Sequence, residues 1–260
     1  MTPVALTIAG SDPSGGAGIQ ADLKTFHQFG VYGEAAIALL TVQNTEGIER
    51  VECLPAALVT EQVRAAISDI PPQAAKTGAL GNAEIVEALA ELAAGFEFPL
   101  VVDPVMIGSH GAALLLPDAR QAIATRLVPR AFLVMPNLDE AAALTGIEVK
   151  DVAAMREAAA RLCGMGARAA LVKGGHLEGP ATDVLYADGA WREFTAPRVE
   201  TRHTHGTGCT YSAAITAALA LGLSLEDAVA RAKTFITAAI ATAPGLGRGS
   251  GPLNHHARPR

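Results

Sequence analysis

The chain has 260 residues, with 20 Lys and Arg against 26 Asp and Glu, for a formal net charge of -6. Half of it is hydrophobic and only 4% is aromatic, which allows a large core of small side chains and fits helices packed on a sheet better than an all-β sandwich. No Lys or Arg run marks a nucleic-acid or acidic-lipid surface. The three cysteines (Cys53, Cys163, Cys209) are far apart, which argues against a disulfide framework and for a reducing cytosol.

The N-terminus has no basic stretch before its apolar run, so no signal peptide is expected. Val4 to Ala9 reads as a strand that runs into the glycine loop Gly10 to Gly16. A helix from about Gly18 to Phe29 follows, with Ile19, Leu23 and Phe26 on one face. Ala35 to Val42 is a second buried strand, ending at Gln43-Asn44-Thr45. Ile48 to Leu54 alternates loosely and reads as an exposed flap or lid strand. Thr60 is expected to cap a helix through Val63, Ala66, Ile67 and Ile70, and Pro71-Pro72 stops it. The strand Ala74 to Thr77 leads to Gly78. A helix from Ala83 to Leu92, the strand Leu100 to Asp103, and a loop from Pro104 to Ala112 come next. A helix over Asp118 to Leu127 precedes the strand Phe132 to Met135. Asp151 caps a helix through Met155 and Leu162, and Ala169 to Lys173 is a strand that ends in two glycines. Asp183 to Ala187 and Trp191 to Thr195, joined by Asp188-Gly189, predict a hairpin. A short apolar helix follows Cys209; it holds Thr216 and Gly222 and reads as core rather than a membrane span. Ser224 to Asp227 resembles a capping box that opens the last helix.

Alternating strands and helices predict one α/β domain over residues 1–260, with a mostly parallel sheet covered on both faces. Ligands then sit beyond the carboxyl ends of the strands. The stretch that carries the chemistry is Thr204-His205-Gly206-Thr207-Gly208-Cys209. Two glycines at the mouth of a helix present bare N–H groups and the positive end of a dipole to an anion, most simply a phosphoryl group in transfer. The same field is expected to favour thiolate at Cys209. A plain glycine turn beside a buried cysteine is the other reading. Gly16-Ala17-Gly18-Ile19-Gln20-Ala21 fits a dinucleotide pattern, but no acidic residue follows at the ribose spacing and no Gly-Lys-Ser/Thr is present. Asp12 and Asp22 are either ligand groups or turn and helix-face residues. Asn137 with Glu140 is a capping box or a site near magnesium. Asp103, which ends an apolar strand, needs a partner. Lys173 meets a phosphate or lies on the rim, and Gln43 offers a carboxamide to a heterocycle or to backbone. His203 and His205 beside Cys209 lack a fourth ligand at zinc spacing.

Taken together, Gly10 to Asp22, Thr41 to Thr45, Lys76 to Gly78, Asp103 to Met106, Pro136 to Leu138, Val172 to His176, His203 to Cys209 and Gly251 to His255 closely resemble the hydroxymethylpyrimidine/phosphomethylpyrimidine kinases of thiamin biosynthesis, within the ribokinase-like superfamily. The resemblance runs in order through most of the chain. It implies a three-layer α/β/α fold with a small β flap, ATP as phosphoryl donor, Mg2+, a cytoplasmic location and a homodimer. Cys209 would be the base for the substrate hydroxyl, and the amides of Gly206, Thr207, Gly208 and Cys209 the anion hole. Lys173 would act near the phosphates. Asn137, Gly206 and Gly208 would lie against the nucleotide. Gln43 would bind the aminopyrimidine, with Gly10, Asp22 and Val105 nearby, and Glu140 and Asp103 would lie near magnesium. Two departures bear on how tightly substrate binds and on the second phosphorylation: Ala79 stands where the family often has Met, and Ser109-His110 where it often has Lys-Ser. The implied reaction phosphorylates 4-amino-5-hydroxymethyl-2-methylpyrimidine and then its monophosphate. A pyridoxal kinase of the same superfamily and a non-catalytic pyrimidine-binding regulator are the alternatives.

Overall fold

The computed structural model describes residues 2–108, 111 and 114–259. In chain order the elements are β1 (Val4–Ser11), α1 (Gly18–Gln28), β2 (Tyr32–Gln43), β3 (Ile48–Cys53), α2 (Ala56–Asp69), β4 (Ala74–Thr77), α3 (Ala83–Ala93), β5 (Leu100–Val102), α4 (Pro117–Ala122), β6 (Leu133–Val134), α5 (Leu138–Thr145), α6 (Val152–Gly164), β7 (Ala169–Val172), β8 (Ala181–Ala187), β9 (Ala190–Ala196), α7 (Thr207–Ala220) and α8 (Leu225–Ala241). All nine strands join one sheet in the order β3-β2-β1-β4-β5-β6-β7-β8-β9. The six from β2 to β7 run parallel; at the two edges β3 pairs antiparallel with β2, and the β8–β9 hairpin joins β7 by an antiparallel pairing.

Strand alternation sorts the core into two layers. Leu6, Ile8, Val102, Val134 and Val172 pack on one side, against α2, α3, α5 and α6. Ala5, Val101, Leu133 and Leu171 point the other way, toward α1, α7 and α8. Helix α7 is buried at every position from Thr210 to Ala220. Its Ala-rich sequence lets it pack closely against neighbours on all sides. No helix among the described residues is long and apolar enough to cross a membrane.

Three local expectations change. Helix α2 starts earlier, after Pro55, and Thr60 lies buried inside it, donating its hydroxyl to the Ala57 carbonyl. The flap strand β3 is not detached: it pairs antiparallel with Leu39 to Gln43 of β2 as the sheet's outer edge. The helix expected over 118–127 is α4 continued by a wider helical turn, Ile123–Leu127. The hairpin is as expected, and both Asp188 and Gly189 take positive φ, which suits a tight turn between right-twisted strands. Ser224 caps α8 by accepting the Asp227 amide (3.2 Å), and its hydroxyl donates to the Asp227 carboxylate (2.7 Å).

The topology fixes where a ligand can sit. From β1 the chain passes to β2 on one side and then to β4 on the other. The loops after β1 and β4 therefore diverge and leave a crevice at the carboxyl ends of the strands.

Candidate active site

Five of the six parallel strands deliver a chemistry-bearing residue to that crevice. Asp12 follows β1, Gln43 ends β2, Asp103 follows β5, Asn137 follows β6 and Lys173 follows β7. A cavity of about 1030 Å3 opens in front of them. Gly10, Gln43, Val105, Asp103, Asn137, Glu140, Lys173 and the loop Thr204 to Cys209 all line it.

The mouth of α7 forms the cavity floor. Gly206 precedes the helix with φ +79°. A Cβ on it would fall 1.9 Å from the Gly16 carbonyl oxygen, so only glycine lets the two loops meet. The amides of Gly208 and Cys209 make no bond to protein among the described residues, as the first turn of a helix requires. Thr207 departs from the expected set, because its amide donates to the Thr204 carbonyl at 3.2 Å. A Cβ on Gly208 would lie 3.6 Å from both the Lys173 Nζ and an Asp103 carboxylate oxygen, so the cationic head stands over the anion loop.

Lys173 is held by carboxylates. Its Nζ is 2.8 Å from Asp103 and 3.9 Å from Glu140. Burial works against its charge, but Asp103 and Glu140 outweigh it and hold the ammonium above its ordinary pKa. Asp103 also accepts the Ser212 hydroxyl at 3.2 Å, so the buried carboxylate has the partners its position demands. Asn137 and Glu140 form a reciprocal capping box: the Asn137 side chain accepts the Glu140 amide, and Glu140 Oε2 accepts the Asn137 amide, each at 2.8 Å. Glu140 is thus a cap that also faces the cavity. Burial pushes its carboxyl up to about 7, against the pull of Lys173.

Cys209 is half-buried at the floor, but the thiolate expected from the helix field is not its resting form. Burial pushes the thiol up to about 11. Lys76 pulls it down, and the carboxylates of Asp22 and Asp103 push it up further. Asp22 is also misplaced by the sequence argument. It lies fully buried beneath the cavity, pairs with the equally buried Lys76 at 2.7 Å, and accepts the Thr7 hydroxyl at 2.6 Å. It is a structural group under the floor rather than part of the lining.

Several site residues escaped the sequence argument. Lys76 is one, although a charge inside the buried strand Ala-Ala-Lys-Thr was a visible signal. Asp183 is another: it accepts the Gly174 amide at 3.0 Å and pairs with Lys233 at 2.7 Å, at the end of the cavity beyond Lys173. Tyr211 lies beside Asp183, and burial together with that charge holds its phenol well above the ordinary value. The dinucleotide-like glycines make room for the protein's own neighbouring loops. A Cβ on Gly18 would strike the Gly10 carbonyl at 2.3 Å, and one on Gly16 would strike the His205 ring at 2.6 Å. His203 and His205 are engaged elsewhere, His203 Nδ1 accepting the Gly251 amide and His205 Nε2 meeting Asp12. Ala79 lines the cavity, whereas Ser109 and His110 lie outside the described residues.

A phosphate cradle at a helix mouth, with a lysine above it, carboxylates beside it and a carboxamide in the same cavity, has the parts of a phosphoryl-transfer site. The sequence profile of phosphomethylpyrimidine kinase matches residues 12–254. The chain belongs to that family. It is a kinase. Among its relatives, the hydroxymethylpyrimidine/phosphomethylpyrimidine kinase of Streptomyces coelicolor is 48% identical over 253 residues, covering 97% of this chain and 94% of that protein. A thiamine biosynthesis bifunctional protein of Geobacter sulfurreducens is also 48% identical, and this chain spans 51% of it. Among solved structures, the pyridoxal kinase of Bacillus subtilis in its ADP complex superposes with a TM-score of 0.91 at 38% identity, covering 99% of this chain and 98% of that one. A phosphomethylpyrimidine kinase from Clostridium difficile gives 0.81 at 40% identity, covering 91% and 98%. The three-layer ribokinase-like fold expected from the resemblance is the fold observed.

Proposed function

We propose that the protein transfers the γ-phosphoryl group of ATP to the 5-hydroxymethyl group of 4-amino-5-hydroxymethyl-2-methylpyrimidine, and then a second one to the resulting monophosphate. The observation that carries this reading is the single cavity that holds Gln43, the anion loop and Lys173 together. The ring lies against Gln43, Gly10 and Val105, with the carboxamide paired to its amino edge. The hydroxymethyl points at the anion loop. The amides of Gly206, Gly208 and Cys209 receive the charge that builds on the moving phosphoryl group, and Lys173 neutralises more of it. One such donor contributes roughly 3–4 kcal/mol to the transition state. Cys209 accepts the hydroxyl proton in the first transfer only after losing its own, because it rests as a thiol. In the second transfer the acceptor is already an anion, so a base matters less. The nucleotide runs past Lys173 and Asn137 into the arm of the cavity lined by Asp183, Lys233 and Ile236.

Magnesium fits this site as a passenger of the nucleotide. No group of three or more His, Cys, Asp or Glu among the described residues can cage a metal by itself. Mg2+ is commonly held by one or two carboxylates plus phosphates and water, and Glu140 and Asp103 can supply those carboxylates. The ion contributes charge neutralisation on the phosphate oxygens. Lys173 stands between the two carboxylates and keeps both near the phosphate path.

The homodimer, the single-domain reading and the cytosolic location belong to the same proposal. All nine strands in one sheet support one domain. Three unpaired cysteines suit a reducing compartment. Tyr32, Leu40 and Val42 leave apolar surface exposed along β2, which a second copy would cover. Light scattering at micromolar concentration reads the oligomeric state directly.

A second reading, pyridoxal phosphorylation, draws on the close superposition with pyridoxal kinases, at 0.91 against 0.81 for the phosphomethylpyrimidine kinase. The chain's higher identity, 48%, to pyrimidine kinases favours the first. One coupled assay of ADP release with the free pyrimidine, its monophosphate and pyridoxal decides. A kcat/KM for pyridoxal above that for both pyrimidines would overturn the assignment, and absence of ADP with all three would leave only a binding protein.

A further inference from the structure

The residue just before the anion loop has a partner 193 positions away. His205 is buried, and its Nε2 lies 2.8 Å from an Asp12 carboxylate oxygen. Asp12 is itself the centre of the glycine loop. It accepts the Ser14 amide (2.8 Å), the Ser14 hydroxyl (2.9 Å), the Gly16 amide (3.1 Å) and the Ala17 amide (2.8 Å). Burial raises the Asp12 pKa, but the bonds from His205 and Ser14 together outweigh it and hold the carboxyl below its usual value. An ionised carboxylate only accepts, so the Nε2 facing it carries the hydrogen.

The backbone of His205 is fixed from the opposite side. Its amide donates to the Gly251 carbonyl at 3.2 Å, and residue 205 pairs with Pro252 in a parallel bridge. One residue later Gly206 comes so close to the Gly16 carbonyl that no side chain fits. The glycine loop and the anion loop are therefore joined at two adjacent points, one polar and one steric. The amides that face the cavity start immediately after this joint.

We propose that His205, through its bond to Asp12, is a positioning residue for phosphoryl transfer: it sets the height and tilt of the Gly206, Gly208 and Cys209 amides and acts on the transferring phosphate rather than on the pyrimidine ring. This rests on the kinase reading above, in which those amides meet the γ-phosphate. An anion cradle works when its donors are already aimed before charge develops. A tilt of the first helical turn spoils that aim without touching Gln43, which is carried by β2.

The test uses the full chain with His205→Ala and His205→Gln. Calorimetry measures affinity for a non-hydrolysable ATP analogue, for ADP and for the free pyrimidine. Only the analogue carries the γ-phosphate. The expected result for His205→Ala is analogue affinity lower by about 10- to 100-fold, the scale on which removing a partner that orients a contacting group acts. ADP and pyrimidine affinities stay within twofold. His205→Gln recovers most of the loss, because its amide nitrogen reaches the level of Nε2. Equal losses for analogue and ADP, or analogue binding unchanged in the Ala variant, overturn the proposal. If His205→Ala fails to give a folded protein by circular dichroism, His205→Asn replaces it: its side chain is polar but too short for Asp12, and the same selective loss is expected. The analogue comparison involves no acceptor. A wild-type protein that turns over none of the acceptors, yet shows the His205-dependent difference, refutes the pyrimidine assignment alone. Turnover that is normal in both His205 variants refutes the positioning role alone.

Discussion

The protonation state of Cys209 makes a sharp prediction about the first phosphorylation. With the thiol pushed up to about 11, only about one enzyme in 10³ carries thiolate at pH 8. Deprotonation at that pH costs about 4 kcal/mol, at 1.36 kcal/mol per unit. A positioned base contributes about 10²–10⁴-fold once it is in its basic form. At pH 8 the net advantage from Cys209 is therefore about tenfold at most. The active form is the deprotonated one and its pKa lies above the accessible range. Hence kcat/KM for the free pyrimidine should climb with pH between about 7.5 and 9.5, approaching tenfold per unit toward the upper end, since kcat/KM reports the free enzyme's pKa values. Cys209→Ala should flatten that slope, with a deficit that widens as pH rises. The monophosphate reaction should be nearly flat and much less affected by the substitution. Coupled ADP release with each acceptor measures the slopes, and peptide-resolved iodoacetamide labelling of the substrate-free enzyme follows the thiolate at Cys209. A wild-type profile that levels off below pH 8, or labelling that saturates there, would show that the helix field outweighs burial and would refute the reasoning.

Three further outcomes follow from the geometry. Gly206→Ala adds a strain of about 1–2 kcal/mol at positive φ and a Cβ 1.9 Å from the Gly16 oxygen, which displaces the anion loop; kcat should fall about 10²–10³-fold, the cost of one misplaced donor, and a loss under threefold would contradict the cradle. Lys76→Met leaves Asp22 buried without its partner, so urea midpoints should report a loss of about 3–5 kcal/mol, largely restored by adding Asp22→Asn; a single-variant loss below about 1 kcal/mol would mean that the pair does not stabilise the floor. His255, bonded to Thr210 at 3.1 Å, is pushed down from 6.5 to about 4, chiefly by burial. A buried group kept neutral contributes stability that is present above pH 6.5 and is lost as pH falls toward 4, by up to about 3 kcal/mol. Glu140, raised from 4.5 to about 7, acts in the opposite direction over much of the same window. The observable is therefore the difference in melting temperature between wild type and His255→Gln, which should shift in favour of the variant as pH falls from 7 to 5. A constant difference would exclude His255 as the titrating group.

The sequence by itself determined the repeating units and their chemistry. Apolar runs such as Val4 to Ala9 and Leu100 to Val102 are long enough for only one kind of strand, and turn chemistry at Asp188-Gly189 and caps at Asn137 and Asp151 act over three or four residues. Such short-range rules leave their mark locally, so the strands, most of the helices and the glycine turn before Cys209 could be read directly. The tertiary structure decided the environments. Whether Asp22 faces a ligand or Lys76, whether Cys209 rests as thiol or thiolate, and which residue holds His205 all depend on groups tens to almost two hundred positions distant. Burial and charge act through space, and a one-dimensional pattern does not record which side chains the fold brings within 3 Å of one another.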